Sequence, residues 1–465
     1  MPKIPLLGAK YQPRMVEGDM NCFFVAEQRG SGLMEAVYGT PGLLTWTDPA
    51  YVGQGRGGKI VGGTLYFVVG NRFYSCSTGG VCSHLGTLLT ATGPCYIEDN
   101  GSQIMIVDGT AGYIYTIATA VFAQIADADY IWFGSLAYLD GYFIGHDPDS
   151  GQFGISASYD GTAWDALDFA SAEGRPDNII QSLTSHRELW LFGQNTTEVF
   201  YNSGASSFPI ERLSGGFMEH GILAADSAVL IDNTPMWLAS DSRTGERLFV
   251  RANGYTPQIV SDDLMSYQLD HMDTVSDARA YGYAEGGHTF YVCNFPTENK
   301  TFAYDLKTGQ WHRRASFPLN GRHRGNWYVN YAGKHLVGDF ENGIIYEMNL
   351  DIYDEDGTEI QRAWTLSEIN STEWVFHSEL VIQLETGLVA GSETDPKLML
   401  DYTKDGGKTW SSERQISVGT VGNYTGEVRA RRLGRARHRA YRIKMSSSRK
   451  WGILGVDLRA GAGKH

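Results

Sequence analysis

The chain has 465 residues and a formal charge of −15. That length allows two or three domains and a core that needs no staples. The acidic balance disfavours binding of nucleic acid by bulk charge, but it does not exclude a passage through which DNA slides without sticking. Glycine takes 56 positions, and aromatics make up 12% with 26 tyrosines among them. This composition predicts many tight turns joining many short strands. A normal hydrophobic share of 42% argues against disorder.

In chain order, residues 1–57 read as an irregular N-terminal arm and entry strand, with a Thr40-Pro41-Gly42 turn between apolar runs. The opening MPKIPLLGAKYQPR has no apolar signal-peptide core. No stretch approaches the ~20 apolar residues of a membrane span, so synthesis in a cytoplasm is expected. From about residue 58 a hairpin rhythm sets in. It runs through 64–77 (turn at Gly70–Asn71), 102–117 (Asp108–Gly109), 135–164 (Asp140–Gly141), 188–204, 228–242, 288–314 and 334–349. Each unit is strand, Asx/Gly turn, strand. Their spacing of about 35–50 residues is that of propeller blades, which bury their faces by stacking around an axis. Residues 58–355 are therefore expected to form a β-propeller of six or seven blades. Helical periodicity is confined to a short stretch around 261–272. After an acidic turn (Asp351, Asp354, Glu355, Asp356), longer alternating strands at 377–388, 397–416, 439–448 and 451–460 predict a β-sandwich-like domain over 356–465. The fold class is all-β.

Five cysteines (Cys22, Cys76, Cys82, Cys95, Cys293) are irregularly spaced and show no zinc pattern. Cys76 and Cys82 flank a hairpin-like Gly79–Gly80. A cross-hairpin disulfide and five reduced thiols are both open.

Two motifs stand out. Thr403 to Trp410, TKDGGKTW, fits the Asp-box pattern S/T-x-D-x-G-x-T-W. Asp405 is expected to bond turn amides, Gly407 to supply a positive φ, and Trp410 to pack back onto the hairpin. A shorter relative is Ser158–Gly161 with Trp164. Asp boxes occur in sialidase-like propellers, but they mark hairpins and supply no catalysis. Three convergent arginines and a Tyr nucleophile with its Glu cannot be nominated here. The second motif is basic: Arg429, Arg431, Arg432, Arg435, Arg437, Arg439 and Arg442, continued by Lys444, Arg449 and Lys450, with one acid, Glu427. Arginine suits bidentate pairing with carboxylates, so these seven arginines are the candidate contact for an acidic partner ring. A solvated strand face is the plainer reading. No catalytic, cofactor or metal residues are assigned. The chain is read as non-enzymatic.

Residues 160–204 (DGTAWDALDFASAEGRPDNIIQSLTSHRELWLFGQNTTEVFYNSG) and 400–448 resemble the packaged-DNA stabilisation proteins of short-tailed bacteriophages, their tail hub or nozzle subunits. In the second run the Asp box is coupled to Gly419-x-x-Gly422-x-Tyr424 and to RARRLGRAR. The resemblance implies a structural virion protein of the tail, assembled in the host cytoplasm as a ring, a homohexamer. It implies an adaptor ring above, tail fibres or tailspikes alongside, a needle or plug closing the far end, and packaged double-stranded DNA in the lumen without sequence-specific contacts. Two other readings stay open: a propeller that binds a host glycan or receptor, and a sialidase-like glycoside hydrolase.

Overall fold

Strands form where alternating β-branched and aromatic residues run for four to eight positions and a left-handed turn follows. Asp140 and Gly141 show the device. With φ of +47° and +101° they make the two-residue turn that lets Tyr142–His146 fold back on Leu136–Leu139. The computed structural model describes residues 4–5, 19–29, 32–172, 174–175, 177–385, 395–419 and 427–462. Almost all regular structure in it is β. The helix expected near 261–272 is α1 (Asp263–Asp270), capped by Asp262, whose carboxylate accepts the Met265 amide at 2.8 Å.

Seven sheets make a seven-bladed β-propeller. Blade 1 spans residues 55–87, blade 2 96–124, blade 3 136–171, blade 4 179–218, blade 5 220–259 and blade 6 279–314. Blade 7 spans 325–349 and has three strands of its own; Gly42–Thr47 is added outside them. Apolar side chains fill the gaps between neighbouring sheets. Leu139, Ile144 and Phe153 of blade 3 meet Leu189, Leu191 and Phe200 of blade 4. In blade 1, Cys76 and Cys82 are direct partners across adjacent strands and form a disulfide. Cys22, Cys95 and Cys293 are buried.

Among the described residues the sandwich has nine strands: β1 (Cys22–Arg29), β2 (Gly32–Gly39), β3 (Arg362–Thr365), β4 (Ile369–Leu384), β5 (Lys397–Thr403), β6 (Arg414–Ser417), β7 (Glu427–Arg431), β8 (Arg435–Met445) and β9 (Gly452–Ala462). One layer runs β1-β2-β9-β4, with β7 also on β4; the other runs β3-β8-β5-β6. The long strands β4 and β8 also pair with each other at residues 369–376 and 435–439. Alternation points Leu380, Ile382, Ile453, Val456 and Leu458 of one layer at Trp364, Leu398, Leu400, Tyr441 and Ile443 of the other.

The N-terminal arm expected over 1–57 is therefore corrected. Its residues 22–39 are a strand pair of the sandwich, with Val37 and Tyr38 opposite Ile453 and Gly452. Burial is the reason: Cys22, Phe24 and Val37 are 0–5% exposed in the sandwich core, and a two-stranded hairpin alone is marginal in water. Asn21 locks the entry to this pair. Its side-chain amide donates to the Ala315 and Gln361 carbonyls at 2.7 and 2.9 Å and accepts the Ala315 amide at 2.9 Å.

Candidate interface on the sandwich, and the propeller axis

The Asp box is built as its residue types require. Asp405 accepts the Thr409 amide at 2.9 Å and the hydroxyls of Thr409 and Thr403 at 2.6 and 2.8 Å. Those donors hold its carboxyl down at about 2. Gly406 and Gly407 both have positive φ, +71° and +89°. Trp410 does something further: it lies against the Arg442 guanidinium on β8, 3.8 Å from ring centroid to Cζ. The site is a turn lock. The blade 3 relative is one too, with Trp164 buried and its indole N–H donating to the Gly161 carbonyl.

The seven arginines divide into three groups. Arg439 and Arg442 are withdrawn from the candidate contact. Arg439 is 1% exposed; it donates to the Leu433 and Arg435 carbonyls at 2.6 and 3.2 Å and lies over the Tyr402 ring. Arg442 pairs with both oxygens of Asp401, at 3.1 and 2.7 Å, and Asp401 is 1% exposed. Both therefore serve the sandwich interior. Asp401 and Tyr402, which receive them, come from a strand that the local sequence does not show.

Arg429 and Arg431 form the second group. They face Glu379, which Arg459 approaches from the other side at 3.2 Å. The Arg431 hydrogen bond, with the charges of Arg459 and Arg431, holds the Glu379 carboxyl below the usual carboxylate range. Arg429 also pairs with Glu427. This face is a cross-strand ionic ladder, largely neutralised within the domain.

Arg432, Arg435 and Arg437 remain exposed. Among the described residues no acid lies within ion-pair reach of them. Arg435 and Arg437 lie over the Trp374 ring at 4.8 and 5.3 Å. Phe376, opposite Arg435 in register, is 44% exposed. The turn between β7 and β8 is held by Arg414, which donates to the Arg431 and Arg432 carbonyls at 2.9 and 3.3 Å. Sequence reasoning missed Trp374 and Phe376, because both precede the arginine run by about 60 positions. The Gly419-x-x-Gly422-x-Tyr424 element lies mostly outside the described residues.

The propeller axis is a second polar centre. The innermost strands line a cavity of about 330 Å³. In it the Tyr96 hydroxyl donates to Asp226 at 2.7 Å and Arg279 pairs with the same carboxylate at 3.3 Å. Burial pushes the Asp226 carboxyl up, while Arg279 and Tyr96 pull it down. Arg56 donates to the carbonyls of Gly70, Thr90 and Gly93 at 2.7–3.0 Å. The Tyr96–Asp226–Arg279 group links blades 2, 5 and 6 at the axis, and Arg56 pins the loop between blades 1 and 2. The cavity is at the lower end of the size range for small-molecule sites and far too small to pass a duplex. The acidic 351–356 stretch is turn chemistry, with Asp354 accepting the Gly357 amide. Among the described residues no group of three or more His, Cys, Asp or Glu is placed to hold a metal ion. No described helix is long and apolar enough to cross a membrane.

Two family models match the chain, one over residues 19–353, described as the β-propeller of bacteriophage P22 Gp10, and one over 359–461, described as its β-sandwich. The chain belongs to the bacteriophage P22 Gp10 family. This is the packaged-DNA stabilisation family, the tail hub or nozzle subunits that residues 160–204 and 400–448 resemble, and its members are phage structural proteins. No curated protein matches. Among solved structures, the chain is similar to PorZ of Porphyromonas gingivalis at 10% identity and TM-score 0.38, covering 81% of this chain and 46% of that one. The chain thus spans less than half the length of PorZ. It is also similar to the extracellular domain of BT4673 from B. thetaiotaomicron at 11% identity and TM-score 0.44, covering 93% and 61%. The N-terminal domain of Nup159 matches at 8% identity and TM-score 0.40, covering 75% and 98%. These likenesses carry no functional argument.

Proposed function

We propose that this Gp10-family chain is the subunit of a closed ring, a homohexamer, in the short tail of a virion. The ring extends the DNA channel below the portal and its adaptor, retains packaged DNA, and lets it leave on infection. The observation that carries the reading is the match of both domains, which together cover nearly the whole chain. A cavity of only about 330 Å³ on the propeller axis supports a channel formed between copies rather than through one. The charge of −15 per copy supports a lumen that repels DNA and keeps it mobile. The role is structural, without catalysis. Arg432, Arg435 and Arg437 are the arginines left to meet another protein. The adaptor ring, fibres or tailspikes, and a needle or plug are the partners this position requires.

Particles assembled without this chain provide the test. They are expected to fill with DNA and then lose it, measured as nuclease-sensitive DNA after packaging, and to regain stability when the purified protein is added. Particles that keep their DNA without the chain contradict the reading.

A further inference from the structure

Charge is unevenly divided along this chain. Residues 45–299 and 324–347, one compact unit, hold 12 Lys/Arg against 32 Asp/Glu, a formal −20. The remainder, which includes the sandwich, holds 26 against 21, a formal +5. The asymmetry is sharpest in blades 2 and 3: from Phe73 to Gly174 there are 12 acids and no lysine or arginine. Soluble surfaces ordinarily intersperse the two signs, and large single-sign fields serve steering and association.

Blade 3 gives this acidic surface an apolar tip. Its outer strand pairs Ser156 with Trp164 and Gly154 with Phe169, so Asp165–Asp168 bulge out of the ladder. The Asp165 carboxylate accepts the Leu167 amide at 2.9 Å and shapes the bulge. Leu167 is 82% exposed and Phe169 39%. Among the described residues no cation pairs with Asp165 or Asp168. The sandwich carries the converse: Arg435 and Arg437 flanking Trp374, with Phe376 exposed beside them and no described acid in reach.

We propose that these two surfaces bind each other between copies, the Asp165–Phe169 bulge of one subunit docking on the Trp374, Phe376, Arg435 and Arg437 patch of the next. Each side offers what the other lacks: unpaired carboxylates with an apolar tip against unpaired guanidinium groups beside a half-buried Trp374 and an exposed Phe376. The two patches differ, so the contact is heterologous and joins copies head to tail, which generates a closed ring when the rotation permits. The inference rests on the ring proposed above and supplies its contact.

The experiment adds full-length protein to particles made without it, counts bound copies, and images their arrangement. Arg435→Glu/Arg437→Glu and Asp165→Lys/Asp168→Lys should each raise the concentration for half-saturation by about 30-fold or more. Leu167→Ser, which changes only the tip, should weaken binding in the same direction. All of these positions are exposed or half-buried, and a thermal melt checks that each variant is folded. The decisive arm puts both charge reversals in one chain, which restores the attraction and should recover assembly. Unchanged saturation by either charge variant, or no recovery in the combined chain, overturns the contact and leaves the ring standing. Wild-type protein that binds without forming a closed ring of copies overturns the ring reading and this contact together.

Discussion

Arg442 and Arg435 lie seven residues apart on one strand and do different work. Arg442 is bonded through two nitrogens to a buried carboxylate and lies against an indole; Arg435 projects over Trp374 into solvent. Arg442→Ala would leave Asp401 buried with only Lys444 beside it, at a cost of about 3 kcal/mol. Arg435→Ala should stay within about 0.5 kcal/mol. Chemical denaturation of the purified protein separates the two, and equal losses would mean that the arginine assignments are wrong. His377 sets a pH dependence. It is 2% exposed, hydrogen-bonded to the Tyr441 hydroxyl, and lowered to about 4 by burial with help from the Arg439 charge. Its folded pKa lies below the unfolded value of about 6.5, so between those values the unfolded chain binds the extra proton. Stability is therefore full above about 6.5 and falls as pH drops toward 4. The melting temperature of the sandwich should drop by at least about 3 °C over that window, and His377→Gln should flatten the slope. A wild-type melt that is level from pH 6.5 to 4 would contradict this.

At the scale of elements, what the sequence reveals depends on how local each element's partners are. The Asp box is legible because Asp405, Gly407 and their bonding partners lie within seven residues. The blade hairpins are legible because each turn residue sits between its own two strands. β1 and β2 are not, because the strand that receives them is β9, more than 400 residues away. The Asp165–Asp168 bulge also escaped, since only the register with Gly154 and Ser156 exposes it. The two strands are predicted to belong energetically to the sandwich. A chain lacking residues 1–39 exposes the core lined by Cys22, Phe24 and Val37, so limited proteolysis should cleave within 362–462 at rates at least tenfold above wild type. A truncated chain as resistant as the full one would show that the pair is dispensable.

For the molecule as a whole, the sequence gives two β domains and a family. The structure adds that the propeller axis holds a cavity of only about 330 Å³, in which Tyr96 and Arg279 both bond Asp226. It also reduces seven candidate arginines to a smaller exposed set and joins them to Trp374 and Phe376. The central claim is that copies of this chain form a ring on the axis of a phage tail. A low-resolution electron-microscopy reconstruction of the virion tail, compared with particles lacking the chain, tests it most directly. The account predicts that the missing density is a closed six-fold ring, coaxial with the DNA and below the portal and adaptor. Missing density that is a single copy, an appendage off the axis, or a capsid component would contradict it.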